Sequence, residues 1–103
     1  MSDLKMVVWN MEWMNDLFGP NDQPAQFRPN DEPTVHNKKA TVKQRRDDLS
    51  GVLNEIDVDI VVVIEGPNRT SELQLFFDSD VNGTWKTYVQ YSKGQSQIYL
   101  GRV

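Results

Sequence analysis

The sequence predicts an α/β fold, in the broad sense that includes α+β, from three features of its hydrophobic pattern. Ile60–Ile64 is a run of five β-branched residues, which is typical of a strand buried on both faces. Residues 6–9 form a second short apolar run of the same kind. Between the two runs, apolar residues recur at i, i+3, i+4 and i+7 from position 49, the spacing of one helix face. A strand, a helix and a strand in this order predict a right-handed parallel unit.

The first strand ends at Asn10, and residues 11–18 are expected to form its exit into a loop. The loop itself occupies residues 19–37, where four of the five prolines lie and where a Pro-Asn-Asp pattern occurs twice. Pro and Asn-Asp pairs favour turns over helices and strands. A loop of this length is either functional or disordered.

The first helix is predicted to begin at Thr41, which forms a capping box with Gln44. Its apolar stripe consists of Val42, Leu49, Val52, Leu53 and Ile56.

The second half of the chain predicts a helix at about residues 71–77, with Ser71 and Gln74 as its capping pair. Alternation of apolar and polar residues indicates a strand from Trp85 to Tyr91, and a turn at residues 92–95 leads to a final strand at 97–103. The predicted order is strand, loop, helix, strand, helix, strand, strand.

Composition excludes several classes of function. A net charge of −4 argues against a general nucleic-acid coat protein, because phosphate binding relies on Lys and Arg. The absence of cysteine excludes disulfides, thiolate catalysis and thiolate zinc sites. No apolar run approaches the roughly 20 residues that cross a bilayer, and the first residues lack the pattern of a signal peptide. A cytoplasmic protein without a membrane partner is expected.

The predicted fold brings two polar residues together. Asn10 and Glu65 each follow a buried strand, and the carboxyl ends of parallel strands lie at the edge of the sheet where ligands bind. A carboxylate there is costly to bury without a partner, and Mg²⁺ prefers oxygen ligands. The alternative for Glu65 is a solvated carboxylate paired with Arg69.

Each of several other polar or charged residues has two possible interpretations. Asn10 either binds a carboxylate or phosphoryl oxygen, or satisfies backbone groups of the turn. Glu12 would face the same side as Asn10 if the strand continued, and is otherwise a surface carboxylate. His36 is a candidate ligand or base, or a solvent-exposed loop residue. The basic residues Lys38, Lys39, Lys43, Arg45 and Arg46 either meet phosphates or form a solvated helix face.

Two motifs carry a resemblance to a known superfamily. Residues 7–13, Val-Val-Trp-Asn-Met-Glu-Trp, resemble its first motif, in which a Trp-Asn pair closes the first strand. Residues 59–65 resemble its second motif, an Asp, an apolar run and a metal-binding Glu. The helix around Arg46 and Leu49 and the final strand at 97–102 also fit this superfamily. The chain is therefore similar to the amino-terminal half of a domain of the endonuclease/exonuclease/phosphatase superfamily, which has the fold of deoxyribonuclease I and AP endonucleases.

The resemblance implies a four-layer α/β/β/α sandwich and a Mg²⁺-dependent or Mn²⁺-dependent hydrolase of phosphoester bonds, a nuclease or a phosphatase. Glu65, Asn10 and Glu12 become the candidate metal ligands, and Asn10 and Glu65 the candidate catalytic residues. The substrate is a phosphoester, which includes nucleic acid as one option, but the residues do not indicate which.

The chain also departs from the superfamily. The general base and further phosphate contacts come from later motifs, an Asp-x-Asn and an Asp-His pair, whereas the one histidine here is followed by Asn37. Residues 80–82 have the letters Asp-Val-Asn but read as a turn. Residues 1–103 are therefore expected to be a partial domain that is inactive alone and either pairs with the missing half or self-associates. The alternative is a non-catalytic α/β interaction module that self-associates through its exposed sheet.

Overall fold

The computed structural model describes residues 4–11, 14–20, 22–34, 39–64, 69–92 and 95–103. It confirms a mixed α+β class with two helices and one four-stranded sheet. Within the described ranges, no helix has the length and the apolar character that a membrane span requires. The elements in chain order are β1 (Met6–Asn10), a 3-10 helix (Met14–Leu17), α1 (Val42–Ile56), β2 (Ile60–Ile64), α2 (Thr70–Asp80), β3 (Trp85–Ser92) and β4 (Gln95–Arg102).

The sheet has the strand order β1-β2-β4-β3. β1 and β2 are parallel, as the strand–helix–strand pattern predicts, and α1 connects them. β4 runs antiparallel to both β2 and β3, and β3 and β4 form a hairpin. The sheet is therefore mixed, with β1 and β3 at its two edges.

The beginning of α1 confirms the predicted capping box. The Thr41 hydroxyl accepts the Gln44 N–H at 3.2 Å, and the Gln44 side-chain oxygen accepts the Thr41 N–H at 2.9 Å. The helix ends at Asp57, whose left-handed backbone (φ 56°) lets its N–H donate to the Leu53 carbonyl.

The predicted apolar stripe of α1 is wrong in part. Leu49 and Leu53 are buried with Val42, but Val52 is 46% exposed and Ile56 is 38% exposed. The buried face also includes Ser50, so it is centred to one side of the predicted stripe and leaves Val52 and Ile56 at its rim.

α2 is longer than predicted, and the predicted capping pair is wrong. The N-cap residue is Arg69, which makes no side-chain capping bond. Gln74 instead joins the helix to β3: its oxygen accepts the Thr87 N–H and hydroxyl, and its amide donates to the Trp85 carbonyl at 2.8 Å.

The chain that leaves β1 is more ordered than an exit into a loop. Met14 and Leu17 lie within the 3-10 helix and are fully buried, as is Met11. Phe18 then stacks on Phe27, with ring centroids 5.4 Å apart.

Both helices and the 3-10 helix contribute to one core on one side of the sheet. The sheet contributes alternate residues to this core, including Val61, Val63, Leu100 and Trp85. The largest fully buried side chains are Phe76, Phe77, Met11, Met14, Leu17, Leu49, Leu53, Leu73 and Leu100.

The opposite side of the sheet has no cover among the described residues. We call it the open face. Its exposed apolar residues are Met6 (64%), Val8 (59%), Ile64 (47%) and Tyr88 (40%), and Asn10 lies at the end of the same row of β1. A second sheet, as in the four-layer sandwich, is not seen in the described chain.

One row of the open face is entirely apolar or aromatic. Strand register places Val8 beside Val62, Val62 beside Tyr99, and Tyr99 beside Tyr88. The two tyrosine rings stack at 5.4 Å. With strands about 4.8 Å apart, this row is about 14 Å long.

Candidate functional site

The two predicted site strands end side by side. Asn10 pairs with Ile64 in the parallel register, and the Met11 N–H donates to the Ile64 carbonyl at 2.8 Å. Because the strands run in the same direction, their carboxyl ends meet at one edge of the sheet. Asn10 thus lies beside the residue that immediately precedes Glu65 in the sequence.

Asn10 is exposed at this edge, and its side chain makes no hydrogen bond to another residue of the described ranges. Residues 12 and 13 of the turn that follows β1 lie outside the described residues, so both interpretations of Asn10 stay predictions. Glu12, Glu65 and His36 lie outside the described residues, so their roles stay predictions.

The amide oxygen of Asn10 is a ligand type that Mg²⁺ and Ca²⁺ accept. Among the described residues, no group of three or more His, Asp or Glu side chains is placed to hold a metal ion. Asn10 is thus the described member of the predicted ligand set Glu65, Asn10 and Glu12.

A buried ion pair lies at the beginning of α2, a few residues after β2. Arg69 Nη2 is 3.2 Å from Glu72 Oε2, and the Glu72 side chain is 1% exposed. The same guanidinium donates to the carbonyl of Gln23 at 2.7 Å and to that of Pro20 at 3.4 Å. The predicted alternative partner of Glu65 is thus already engaged with Glu72 and with the chain that leaves β1.

Glu72 was not among the residues predicted from the sequence. It lies in the first turn of α2, where the helix dipole favours a carboxylate. Its Oε1 atom and the Nε atom of Arg69 are both buried and have no hydrogen-bond partner in the described structure. Acidic residues are common in a first helical turn, so only the burial distinguishes Glu72, and burial is not visible in the sequence.

Arg28 fastens the loop to the 3-10 helix. Its Nη1 donates to the Asp16 carbonyl at 2.7 Å, its Nη2 donates to the Pro33 carbonyl at 3.1 Å, and it pairs with Glu32 at 3.0 Å. The described loop residues are therefore held by side-chain contacts, although they form no helix or extended strand of their own.

Lys43 and Arg46 pair with carboxylates in the described chain, and the largely buried Arg46 is not part of a solvated helix face. Arg46 forms a two-point pair with Asp80, and Lys43 pairs with Asp47 at 2.8 Å on the exposed side of the helix. Lys38 lies outside the described residues.

The Asp80-Val81-Asn82 segment forms the turn that was predicted. Asp80 ends α2, and the Asn82 N–H donates to the side-chain oxygen of Asn54 at 2.7 Å.

Comparisons of the chain with protein-family models, with curated protein sequences and with solved structures gave no match.

Proposed function

We propose that this chain is the amino-terminal, metal-binding part of a Mg²⁺-dependent phosphoesterase of the nuclease or phosphatase type. The observation that carries the proposal is the parallel pairing of β1 and β2, which puts Asn10 next to the strand end that Glu65 follows. Of the two motifs that resemble the endonuclease/exonuclease/phosphatase superfamily, the first contains Asn10 and the second ends at Glu65.

In this proposal, Glu65 holds Mg²⁺ or Mn²⁺, and Asn10 and Glu12 complete the protein's share of the oxygen ligands. A bound divalent cation would polarise a phosphoryl oxygen and stabilise the leaving group. Asn10, which is exposed and has no described partner, would orient either the carboxylate or the phosphate by hydrogen bonding.

The superfamily's general base belongs to an Asp-His motif that these 103 residues do not contain. We therefore propose that this chain binds the metal but does not hydrolyse phosphoesters at an appreciable rate. Incubation with Mn²⁺ and bis(p-nitrophenyl) phosphate should release no more than traces of nitrophenol. Substantial turnover that depends on the metal would overturn this part of the proposal.

Titration of the protein with Mn²⁺ in a calorimeter tests the site. The wild-type chain should give a saturable signal, and Glu65→Gln should weaken the affinity at least about tenfold, since even an outer-shell change costs about that much. Asn10→Ala should weaken it as well. At a free Mn²⁺ concentration of about 100 times the wild-type Kd, thermal unfolding should show a stabilisation of about 2.7 kcal/mol, and a tenfold weaker Glu65→Gln should keep no more than about 1.4 kcal/mol of it.

Glu55→Gln is the matched control, because it makes the same chemical change at an exposed position of α1. It should bind Mn²⁺ as the wild type does. If Glu65→Gln, Glu55→Gln and the wild type all respond alike, the metal site is not at Glu65.

The open face supports a second candidate function, a non-catalytic interaction module that self-associates through its sheet. Large exposed apolar patches drive association. The row from Val8 to Tyr88 crosses all four strands and has an apolar or aromatic side chain at every position. The same face would serve for pairing with a separate second half of the domain.

Light scattering at micromolar concentration tests the second candidate. Val8→Lys, on the open face, should shift a dimer to a monomer, because it would bury a charge in the interface. Val52→Lys is the control, since Val52 is similarly exposed but lies on α1. A wild-type monomer, or equal effects of the two substitutions, would contradict self-association through this face.

A further inference from the structure

β3 is an edge strand of the sheet, and alternate residues along it point their backbone groups outward. The Val103 N–H donates to the Thr84 carbonyl at 2.7 Å, and in an antiparallel ladder only every second residue bonds to the neighbouring strand. The N–H and C=O groups of Trp85, Thr87 and Val89 therefore point away from β4. A row of such groups is a template on which another strand can pair.

The composition of β3 does little to prevent such pairing. The strand is eight residues long, contains no proline and has Lys86 as its one charged residue. Most of its other residues are aromatic or β-branched, the types that favour strands. Natural proteins usually protect an edge of this kind with charges, with prolines or with a covering element.

The side-chain amide of Gln74, in α2, occupies the first part of this edge. Its Nε2 donates to the Trp85 carbonyl at 2.8 Å, and its Oε1 accepts the Thr87 N–H at 3.0 Å. In a parallel ladder, one residue bonds in the same way to the carbonyl before and the N–H after the residue opposite it. Gln74 therefore takes the place of one residue of a parallel strand, opposite Lys86.

Two further contacts fix the orientation of this amide. Nε2 also donates to Oδ1 of Asp78 at 2.9 Å, and Oε1 also accepts the Thr87 hydroxyl at 2.7 Å. The nitrogen thus faces two acceptors and the oxygen faces two donors, so a flipped amide would lose these bonds.

We propose that Gln74 blocks strand addition at the β3 edge. Backbone groups along a sheet edge can otherwise bond to water, so the bonds from Gln74 are not needed merely to satisfy them. Unlike water, the amide holds a protein group in the place where a second copy of the chain would pair its own β3. The proposal depends neither on the metal site nor on association through the open face.

Site-resolved hydrogen exchange of the variant Gln74→Met tests this proposal. Methionine keeps a long unbranched side chain with a similar helix propensity but removes the amide. At micromolar concentration, the Thr87 amide should exchange about tenfold faster than in the wild type, as expected for the net loss of about one hydrogen bond. At millimolar concentration, the amides of Thr87 and Val89 should both become protected in the variant, because a second copy pairs along the edge.

The Val89 amide distinguishes the β3 edge from the open face. No partner of the Val89 N–H is found among the described residues. This group points along the sheet rather than out of its face, so association through the open face leaves it in contact with water. In the wild type it should exchange fast at both concentrations. Protection of Val89 in the wild type at millimolar concentration would show that the edge is open to pairing and would overturn the proposal.

Gln44→Met is the matched control. It makes the same chemical change and also removes a bond to a backbone N–H, that of Thr41, but at the beginning of α1. Exchange at Thr87 and Val89 should stay at the wild-type rates at both concentrations. Equal changes in the two variants would assign the effect to a general loss of stability and would contradict a specific role of Gln74.

Asp78→Ala tests the proposal if Gln74→Met fails to fold, because Asp78 is exposed and alanine favours the helix. Without this acceptor the amide is held less firmly, so Thr87 should exchange faster at micromolar concentration and Val89 should gain protection at millimolar concentration. Wild-type exchange at both amides in folded Asp78→Ala would overturn the proposal. A Val89 amide that stays unprotected in folded Gln74→Met at millimolar concentration would overturn it as well.

Discussion

Arg46 of α1 and Asp80 at the end of α2 form a two-point ion pair. The Nε–Oδ2 distance is 2.8 Å and the Nη2–Oδ1 distance is 2.7 Å, with the two side chains 18% and 15% exposed. The same guanidinium lies 3.6 Å from the centre of the Phe27 ring and donates to the side chain of Asn30. One arginine therefore joins both helices and the long loop.

Removing this pair should lower the stability of the whole molecule. We expect Asp80→Asn to cost about 2–4 kcal/mol in urea unfolding, because it leaves a largely buried guanidinium without its counter-charge. Arg46→Lys should cost about 1–2 kcal/mol, since lysine keeps the charge but loses the second hydrogen bond.

Lys43→Gln is the control for this comparison. Its pair with Asp47 is more than half exposed on both sides, so the cost should stay within about 0.5 kcal/mol. Equal losses for Lys43→Gln and Asp80→Asn would show that burial does not determine the strength of these pairs.

Gly51 offers a stabilising substitution. It lies inside α1 at an exposed position, and a Cβ atom there would meet nothing within 4 Å. Gly51→Ala should raise the free energy of unfolding by about 1 kcal/mol, because alanine loses less backbone entropy in a helix. An unchanged or lower urea midpoint would contradict this account.

Gly83 should behave in the opposite way. Its φ is +104°, and a Cβ atom would lie 2.6 Å from Nε of Arg102. That guanidinium is held by Asp57 and by the Asn82 carbonyl, so it cannot move without losing these bonds. Gly83→Ala should cost at least about 1–2 kcal/mol in the same urea assay. A neutral effect would mean that the turn at residues 81–83 adjusts freely.

The pair between Asp57 and Arg102 should make stability depend on pH. The hydrogen bond and the charge of Arg102 lower the pKa of Asp57 below its ordinary value of 3.8. Ionisation of the Asp57 carboxylate therefore stabilises the folded state relative to the unfolded state. The resulting stabilisation is complete above the ordinary carboxylate pKa and is lost as the pH falls through the lowered value.

Asp57→Asn tests this pH dependence, since asparagine also tolerates the left-handed backbone at this position. The variant should be less stable than the wild type at pH 7, and the difference should begin to shrink below about pH 4 and disappear once the pH is below the lowered pKa of Asp57. Because the carboxylate is exposed, high salt should also reduce the difference. A difference that persists at pH 2 would assign the effect to something other than the charge of Asp57.

Local signals explain what the sequence predicted correctly. The β-branched run at Ile60–Ile64 and the capping box of Thr41 and Gln44 depend on neighbouring residues, and both are confirmed. The exposure of Val52 and the role of Gln74 depend on how elements pack. Gln74 was predicted to cap its own helix, whereas its partners Trp85 and Thr87 lie in the next strand.

In the candidate site too, some positions follow from local rules of the sequence and others depend on how distant parts of the chain pack. The position of Asn10 at the shared edge follows from the rule that parallel strands end together, and the register with Ile64 bears it out. The partners of Arg69 at Pro20 and Gln23 are 49 and 46 residues away, beyond the reach of any periodicity or capping rule. The burial of Glu72 likewise depends on packing that no local pattern encodes.

The position of β1 at the edge of the sheet also bears on the order of assembly. β3 and β4 are neighbours in sequence, whereas β1 meets β2 only after the long loop and α1 have been closed. Because closing a longer segment costs more entropy, we expect β1 to dock last, and pulsed hydrogen exchange should find its amides protected after those of β4. A folding intermediate would then contain the β3–β4 hairpin before the ends of β1 and β2 lie side by side.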